Sequence, residues 1–172
     1  MERAPLANRR HPFPREGGWG EGARPLTAPT LIFGWGNPSR GDDALGPLLV
    51  DRIAALELPG VECLTDFQLQ VEHALDLENR SRILFIDASL NASAPFAVTA
   101  LEAARDASFT THAMTPEAVM HVYVGLHDEA PPPCTLLAIR GECFELGEEI
   151  SPAAASHLDA ALAWARRWLE VS

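Results

Sequence analysis

Short, uninterrupted apolar runs alternate with helical patterns along this chain. Residues 83–86 (Ile-Leu-Phe-Ile) form the clearest run, and residues 31–33 are similar. Continuous runs of this length are typical of strands that are buried on both faces, as in parallel sheets covered by helices. Strands that alternate with helices build such sheets. The pattern therefore predicts an α/β domain with a largely parallel sheet and helices on both faces.

The predicted elements follow from length, periodicity and end signals. Five strands are expected, at residues 30–33, 61–65, 82–86, 96–101 and 134–139. Helical spacing is found at residues 45–55, 70–77 and 116–126, and from residue 152 onwards. Thr115 and Ser151 each precede a proline, which is the sequence of an N-cap followed by proline at the first helical position. Asp42 or Asp43 is expected to cap the first helix.

The composition limits the kinds of function that are possible. The chain has 172 residues and a net charge of −11. Such an acidic protein repels phosphates, so we expect no nucleic-acid partner. Three cysteines without a Cys-x-x-Cys spacing predict neither a disulfide framework nor a zinc knuckle. No apolar run approaches about 20 residues, so no membrane association is expected, and the cytoplasm is the predicted location.

The first 29 residues differ from the rest of the chain. They are rich in Pro, Gly and Arg and have no hydrophobic period. Arg9 and Arg10 are adjacent, but no apolar segment follows them as it would in a twin-arginine signal. Residues 1–29 are therefore predicted to be a disordered extension, or the product of a misplaced start site, and residues 30–172 a single domain.

Two acids and a histidine occupy comparable places in this pattern. Asp43 follows the first strand through a glycine-rich turn, Asp87 ends the third strand, and His112 precedes the helix that begins at Pro116. The carboxyl ends of parallel strands share one edge of the sheet, where α/β proteins bind their ligands. Two carboxylates and an imidazole suit a divalent transition metal, and three protein ligands leave positions open for water or substrate.

Simpler roles are open for each of these residues. An aspartate at a helix start usually caps the helix, an aspartate at a strand end often anchors a loop, and a loop histidine is usually solvated. The glycine turn could also bind phosphate, but it lacks the Gly-x-Gly-x-x-Gly and Gly-Lys-Ser/Thr patterns. Two acids at the helix start would also repel a pyrophosphate there.

Four sequence blocks resemble the maturation proteases of nickel–iron hydrogenases. The first is Gly-Trp-Gly-Asn at residues 34–37, followed after a four-residue spacer by Asp-Asp-Ala-Leu-Gly at residues 42–46. The second is the apolar strand that ends in Asp-Ala at residues 87–88, and the third is the histidine just ahead of a helix at residues 111–116. The fourth is the late strand at residues 137–142 and the segment that follows it to Pro152. Several relatives have Glu where this chain has Asp43.

The resemblance implies both a fold and an activity. Proteins of this family are three-layer α/β/α sandwiches around a twisted, mostly parallel sheet, a phosphorylase/hydrolase-like arrangement. They are endopeptidases, of aspartyl type, that trim the C-terminal extension of the hydrogenase large-subunit precursor. The family's two acids and histidine are carried over to Asp43, Asp87 and His112. These would bind nickel that the substrate already contains, and zinc or cadmium can occupy the same ligands. Asp43 and Asp87 would also be the catalytic residues.

Three further residues are candidates for contacting the substrate: Asn37 in the glycine turn, and Gln70 and His73 after the second strand. Some relatives have a glycine-rich turn there, so residues 67–73 of this chain could set which large subunit is accepted. Two other functions are left open. A non-catalytic nickel-site chaperone would bind the precursor without cutting it, and a general metallopeptidase with its own metal would cleave unrelated peptides.

Overall fold

A five-stranded sheet forms the centre of the protein. The computed structural model describes residues 27–104 and 114–171. Its strands are β1 (Thr30–Trp35), β2 (Val61–Asp66), β3 (Arg82–Ser89), β4 (Phe96–Leu101) and β5 (Cys134–Arg140). Their order is β2-β1-β3-β5-β4, and all neighbours are parallel except β4, which runs antiparallel to β5. The prediction of a mostly parallel, five-stranded sheet is confirmed.

Helices cover both faces of this sheet. The α-helices are α1 (Leu45–Ala54), α2 (Pro116–His127) and α3 (Pro152–Glu170). Two 3-10 segments accompany them: the acidic turn (Gly41–Ala44) and the β2–β3 helix (Val71–Leu77). α1 and α3 pack on one face, whereas α2 and the β2–β3 helix pack on the other. The result is the three-layer sandwich that the resemblance implied.

The inner strands contribute side chains to both cores. Ile32, Leu84 and Ile86 pack against α1 and α3, whereas Leu31 and Phe85 pack on the opposite face. Successive residues of a strand point to opposite faces of the sheet. A strand covered on both sides therefore needs an apolar residue at every position, which explains the uninterrupted runs in the sequence.

Helix ends are held by side chains, most firmly in α3. At its start, the Ser151 hydroxyl accepts a hydrogen bond from the Ala154 N–H at 3.2 Å, and Thr115 caps α2 in the same way. Both caps were predicted. At the other end of α3, the Arg82 guanidinium donates to the carbonyls of Trp168 and Leu169, each at 3.0 Å, and to that of Val171. A cation at a helix C-terminus also complements the helix dipole.

The described chain begins at Thr27, and its first contacts precede β1. The Pro29 carbonyl accepts a hydrogen bond from the Ser81 N–H at 2.7 Å, and the Ala28 carbonyl accepts one from Arg80 at 2.8 Å. Residues 1–26, which make up most of the predicted extension, lie outside the described residues. In the part of the chain that the structure describes, no helix is long and apolar enough to cross a membrane.

Candidate active site

The chain changes direction across the sheet between β1 and β3. From β1 it moves outward to β2 and then returns to the other side of β1 as β3. A crevice forms outside the carboxyl ends of the strands at such a switch point, and open α/β sheets bind their ligands there. Asp43 follows β1, and Asp87 lies near the end of β3. The two predicted acids therefore come from the two strands that flank the crevice.

Two glycines bring the acidic turn onto this crevice. Gly46, in the first turn of α1, packs its backbone against β1 and β3. A Cβ at this position would overlap the Trp35 carbonyl oxygen and lie 2.9 Å from the Ile86 carbonyl oxygen. Gly36 has a φ of 144°, and a Cβ there would overlap the carbonyl oxygen of Asp43. Such close approaches of backbone to backbone need glycine. As a result, the acidic turn contacts β3 directly.

Asp43 is half-buried, and the turn after β1 holds its carboxylate. The Asn37 N–H donates a hydrogen bond to Oδ2 of Asp43 at 3.0 Å. The Asn37 side-chain oxygen in turn accepts the Ser39 N–H at 2.9 Å, a local bond that shapes the loop. Asn37 therefore supports Asp43, and its contact with the substrate stays a prediction.

Asp87 is half-buried within β3 and has an unusual affinity for its proton. The pKa of Asp87 is raised to about 7, chiefly by burial and to a smaller extent by the negative charge of Asp43, while a hydrogen bond from the Ala88 N–H opposes the rise. That bond reaches Oδ1 at 2.8 Å. Asp87 therefore keeps its proton to a much higher pH than an ordinary aspartate, which is fully ionised at neutral pH.

Together, Asp43 and Asp87 form an acid pair whose charges repel each other. A cation between two such carboxylates removes the repulsion and favours their ionised forms. Without a cation, a carboxyl group that titrates near neutral pH is suited to accept and return a proton. The acid pair can therefore bind a cation, move a proton, or do both. Perturbed acids in a crevice of this kind are typical of functional sites.

Neither Asp42 nor Asp43 caps the helix that follows, so the expectation that one of them would do so was wrong. The acidic turn has no side-chain hydrogen bond at its start. Instead, Asp42 is fully buried and accepts hydrogen bonds from the loop between β5 and α3. Burial on its own raises the pKa of Asp42, but the hydrogen bonds from Cys143, Glu142 and Ser151 outweigh it and the net pKa is lowered. No local sequence signal indicates these partners, because they lie about 100 residues downstream.

His112, the third predicted ligand, lies outside the described residues. The described chain resumes at Met114, whose N–H donates to the Leu69 carbonyl at 3.3 Å. Within residues 27–104 and 114–171, no three His, Cys, Asp or Glu side chains are grouped so that they could hold a metal ion. The acid pair alone makes up the described part of the predicted set, and the role of His112 stays a prediction.

Gln70 and His73 hold each other at the start of the β2–β3 helix. The Gln70 N–H donates to Nδ1 of His73 at 2.9 Å, and the Gln70 side chain accepts the His73 N–H in return. On its other side, Nε2 of His73 lies 3.3 Å from Oδ2 of Asp66. Because Nδ1 accepts a bond, we assign the proton of the neutral ring to Nε2. His73 is buried, and contact of Gln70 and His73 with the substrate stays a prediction.

An exposed apolar surface, which sequence reasoning missed, lies on this segment. Three large side chains are each more than half exposed: Phe67, Val71 and Leu75. Helical spacing grouped the last two with the core residues Ala74 and Leu77. The surface adjoins the turn after β1, because the Asp66 carbonyl, just before Phe67, accepts the Gly36 N–H at 3.1 Å. We call these three residues the apolar surface.

Solved structures with the same fold include several hydrogenase maturation proteases. A maturation protease, HycI, from Thermococcus kodakarensis matches with a TM-score of 0.64 and 19% identity, over 83% of this chain and 93% of that one. The hydrogenase maturating endopeptidase HybD from E. coli matches with a TM-score of 0.65 and 24% identity, over 82% of this chain and 91% of that one.

A third structure is a hydrogenase 2 maturation peptidase from a Thaumarchaeota archaeon. Its TM-score is 0.61 and its identity 23%, over 83% of this chain and 99% of that one. No family model and no curated protein matches the sequence. At these identities the likeness shows the fold, and this is the fold that the four sequence blocks predicted.

Proposed function

We propose that this chain is an endopeptidase that removes the C-terminal extension of a nickel–iron hydrogenase large-subunit precursor after nickel insertion. The observation that carries the proposal is the acid pair, Asp43 and Asp87, at the switch point of a fold shared with three hydrogenase maturation peptidases. The sequence blocks that resemble this family contain the same two acids. We place the reaction in the cytoplasm, with the precursor as the protein partner.

In the proposed complex, nickel belongs to the substrate and acts as the recognition element. Asp43 and Asp87, together with His112, would bind the nickel from the protease side, and the scissile bond would lie beside it. Carboxylate and imidazole ligands suit nickel, and they also accept zinc or cadmium. A precursor without nickel lacks this bridging contact and should bind weakly.

The acid pair supplies the proton transfer that peptide hydrolysis needs. One carboxylate takes a proton from water as the water oxygen bonds to the scissile carbonyl carbon. The C–N bond then breaks, and the same proton passes to the leaving nitrogen. The substrate's nickel polarises the carbonyl during the attack. Either acid could take this part, because a carboxylate has about four lone-pair sites and would keep one for the proton while it held the nickel. The raised pKa of Asp87, about 7, supports giving it the proton.

Cleavage of a purified, nickel-loaded precursor by the Asp87→Ala variant tests this proposal. We expect a loss of at least about 100-fold in kcat/KM, because both metal binding and proton transfer are removed. Asp51→Ala, which removes an exposed carboxylate from α1, is the matched control and should cleave normally. Unchanged cleavage by Asp87→Ala would refute the role of the acid pair.

The same assay separates the alternatives. Mass spectrometry of the large subunit should show loss of the extension with the wild-type protein, whereas a nickel-site chaperone would bind the precursor and leave its mass unchanged. Equal cleavage of metal-free precursor would sink the recognition role of nickel. Cleavage of unrelated peptides, abolished by a chelator, would instead identify a general metallopeptidase with its own metal.

A further inference from the structure

We infer that Asp42 is a positioning residue for Asp43. Asp42 is fully buried, and the proposed reaction does not use its side chain. Its contacts join the acidic turn to the loop between β5 and α3, residues 141–151, which we call the clamp loop. The inference rests on the proposed function in one respect, namely that Asp43 works in the reaction.

The clamp loop holds both the side chain and the backbone of Asp42. Oδ2 accepts the N–H groups of Glu142 at 2.7 Å and Cys143 at 3.0 Å, and Oδ1 accepts the Ser151 N–H at 2.6 Å. The Ser151 hydroxyl adds a fourth bond to Oδ2 at 2.9 Å. In return, the Asp42 N–H donates to the Cys143 carbonyl at 2.7 Å. Bonds from two sides fix this residue in position as well as in orientation.

The fit between the two segments is close in shape. A Cβ at Gly41 would lie 2.6 Å from the Cys143 carbonyl oxygen. On the other side, a Cβ at Gly141 would lie 2.9 Å from the Asp42 Cβ. The Gly41 N–H also donates to the Glu148 carbonyl at 3.1 Å. The acidic turn therefore fits against the clamp loop in only one position.

Besides its contacts with Gly36, Asn37 and β3, the acidic turn is held by the clamp loop. A 3-10 turn has poorer hydrogen-bond geometry than an α-helix, and this one has no side-chain bond at its start. The Asp43 N–H donates to the carbonyl of Arg40, the residue just before the turn, at 3.1 Å. Because Asp42 and Asp43 share a rigid peptide unit, a shift of Asp42 moves the Asp43 carboxylate. Displacements of about 1 Å at a reacting group can cost about 100-fold in rate.

The Asp42→Asn variant tests the inference on two readouts. Whichever oxygen the amide nitrogen replaces, it meets an N–H donor of the clamp loop, so at least one bond becomes a donor–donor conflict. With the free protein, we expect hydrogen exchange of the Asn37 amide to speed up at least about 10-fold, because that amide donates to Asp43. With nickel-loaded precursor, we expect kcat to fall roughly 10- to 100-fold while KM stays within about threefold.

Arg82→Met is the matched control for stability. It removes the guanidinium that bonds the last carbonyls of α3. Arg82 lies at the start of β3, at the opposite end of the sheet from the acidic turn, so every bond on Asp42 is left in place. We expect a lowered Tm, with Asn37 exchange and kcat within about threefold of wild type. A purely structural role for Asp42 would make the two variants alike once they are compared at equal stability.

The inference is overturned if folded Asp42→Asn keeps wild-type kcat and wild-type Asn37 exchange, or if Arg82→Met loses as much of both. If Asp42→Asn does not fold, Gly141→Ala decides on the same two readouts, because its Cβ would lie 2.9 Å from the Asp42 Cβ. The Phe144 ring, at 2.8 Å, is the far end of a side chain that can turn away. If the wild-type protein does not cut the precursor, the proposed function fails, and Asn37 exchange alone then decides whether Asp42 positions Asp43.

Discussion

At the scale of single residues, Asp87 carries an electrostatic penalty. It sits half-buried in β3 beside Asp43, and its pKa is raised to about 7. Ionising this carboxyl group therefore costs more free energy in the folded protein than in the unfolded chain, so its ionisation lowers the stability of the fold. Sites arranged for function often sacrifice stability in this way. The free energy of unfolding therefore depends on pH through Asp87, and a substitution at this residue should remove that dependence.

The Asp87→Asn variant should be more stable than wild type at alkaline pH in the absence of metal. The folded state keeps the Asp87 proton up to about pH 7, whereas the unfolded chain releases it near about pH 4, so wild-type stability falls as pH rises between these values. At about pH 8 we expect the free energy of unfolding of the variant to exceed that of wild type by roughly 1–4 kcal/mol. Near about pH 4 the difference should vanish.

Urea unfolding at the two pH values measures this difference. Asparagine still offers an oxygen to the Ala88 N–H, so that bond is retained. Asp51→Asn, at an exposed position on α1, is the control and should follow the wild-type curve. A gain for Asp87→Asn that was the same at both pH values would contradict an origin in the titration of Asp87.

The adjacent acids Asp42 and Asp43 show how far sequence reasoning reaches at this scale. The apolar run and glycine turn were sufficient to predict acids at the carboxyl end of β1. The different roles of the two acids depend on the clamp loop, whose bonds to Asp42 join residues 100 to 109 positions apart. Local propensity predicts that an acid at a helix start caps the helix. It carries no information about a hydrogen-bond partner 100 residues away, so it could not predict the role of Asp42.

At the scale of elements, the β2–β3 helix departs most from its predicted form. Its spacing predicted an amphipathic helix with Val71 and Leu75 on the buried face. The structure has a 3-10 helix instead, in which side chains three residues apart align, and Ala74 and Leu77 face the core. Val71 belongs to the same line of side chains, but it is the first residue of the helix and is exposed there. Val71 and Leu75 are left in solvent. By contrast, Thr115 and Ser151 cap α2 and α3 as predicted, because these caps depend only on neighbouring residues.

The apolar surface should contribute to binding of the protein substrate. We expect Phe67→Ser and Leu75→Ser each to raise KM for the precursor by roughly 5- to 50-fold, as exposed apolar area that a partner covers is lost. The effect on kcat should stay within about threefold, since neither side chain belongs to the acid pair. Steady-state cleavage of nickel-loaded precursor measures both constants.

Val98→Ser is the control for the apolar surface. Val98 is also exposed, but it lies on β4, at the opposite edge of the sheet from β2. Its substitution should leave KM unchanged. A similar rise in KM for all three variants would point to a general loss of solubility or stability, and unchanged KM for Phe67→Ser and Leu75→Ser would remove this surface from the substrate interface.

At the scale of the whole molecule, the placement of the acid pair follows from strand order. Because β1 lies between β2 and β3, the crevice opens between the two strands that supply Asp43 and Asp87. Sequence patterning predicted the parallel sheet and the proximity of these strand ends. It did not predict the strand order β2-β1-β3-β5-β4, because hydrophobic patterning indicates how deeply a strand is buried and not which strand it pairs with.

The close contact between α1 and the sheet predicts opposite outcomes for two glycine-to-alanine variants. Alanine favours a helix over glycine by about 1 kcal/mol, so Gly125→Ala in α2, which has nothing within 4 Å of its Cβ position, should raise stability by roughly 0.5–1 kcal/mol. Gly46→Ala should lower it by at least roughly 2 kcal/mol, because its Cβ would overlap the Trp35 carbonyl. Thermal unfolding of the two variants checks this, and a stabilised Gly46→Ala would disprove the tight contact.

The bonds on Asp42 also set the order in which the protein can be completed during synthesis. Their donors are Glu142, Cys143 and Ser151, all in the last third of the chain. Contacts between distant positions form late, because the chain between them must first be ordered. A nascent chain that has only reached β3 already contains both acids of the pair but not the groups that fix the acidic turn. The acidic turn should therefore reach its final position only once α3 has docked.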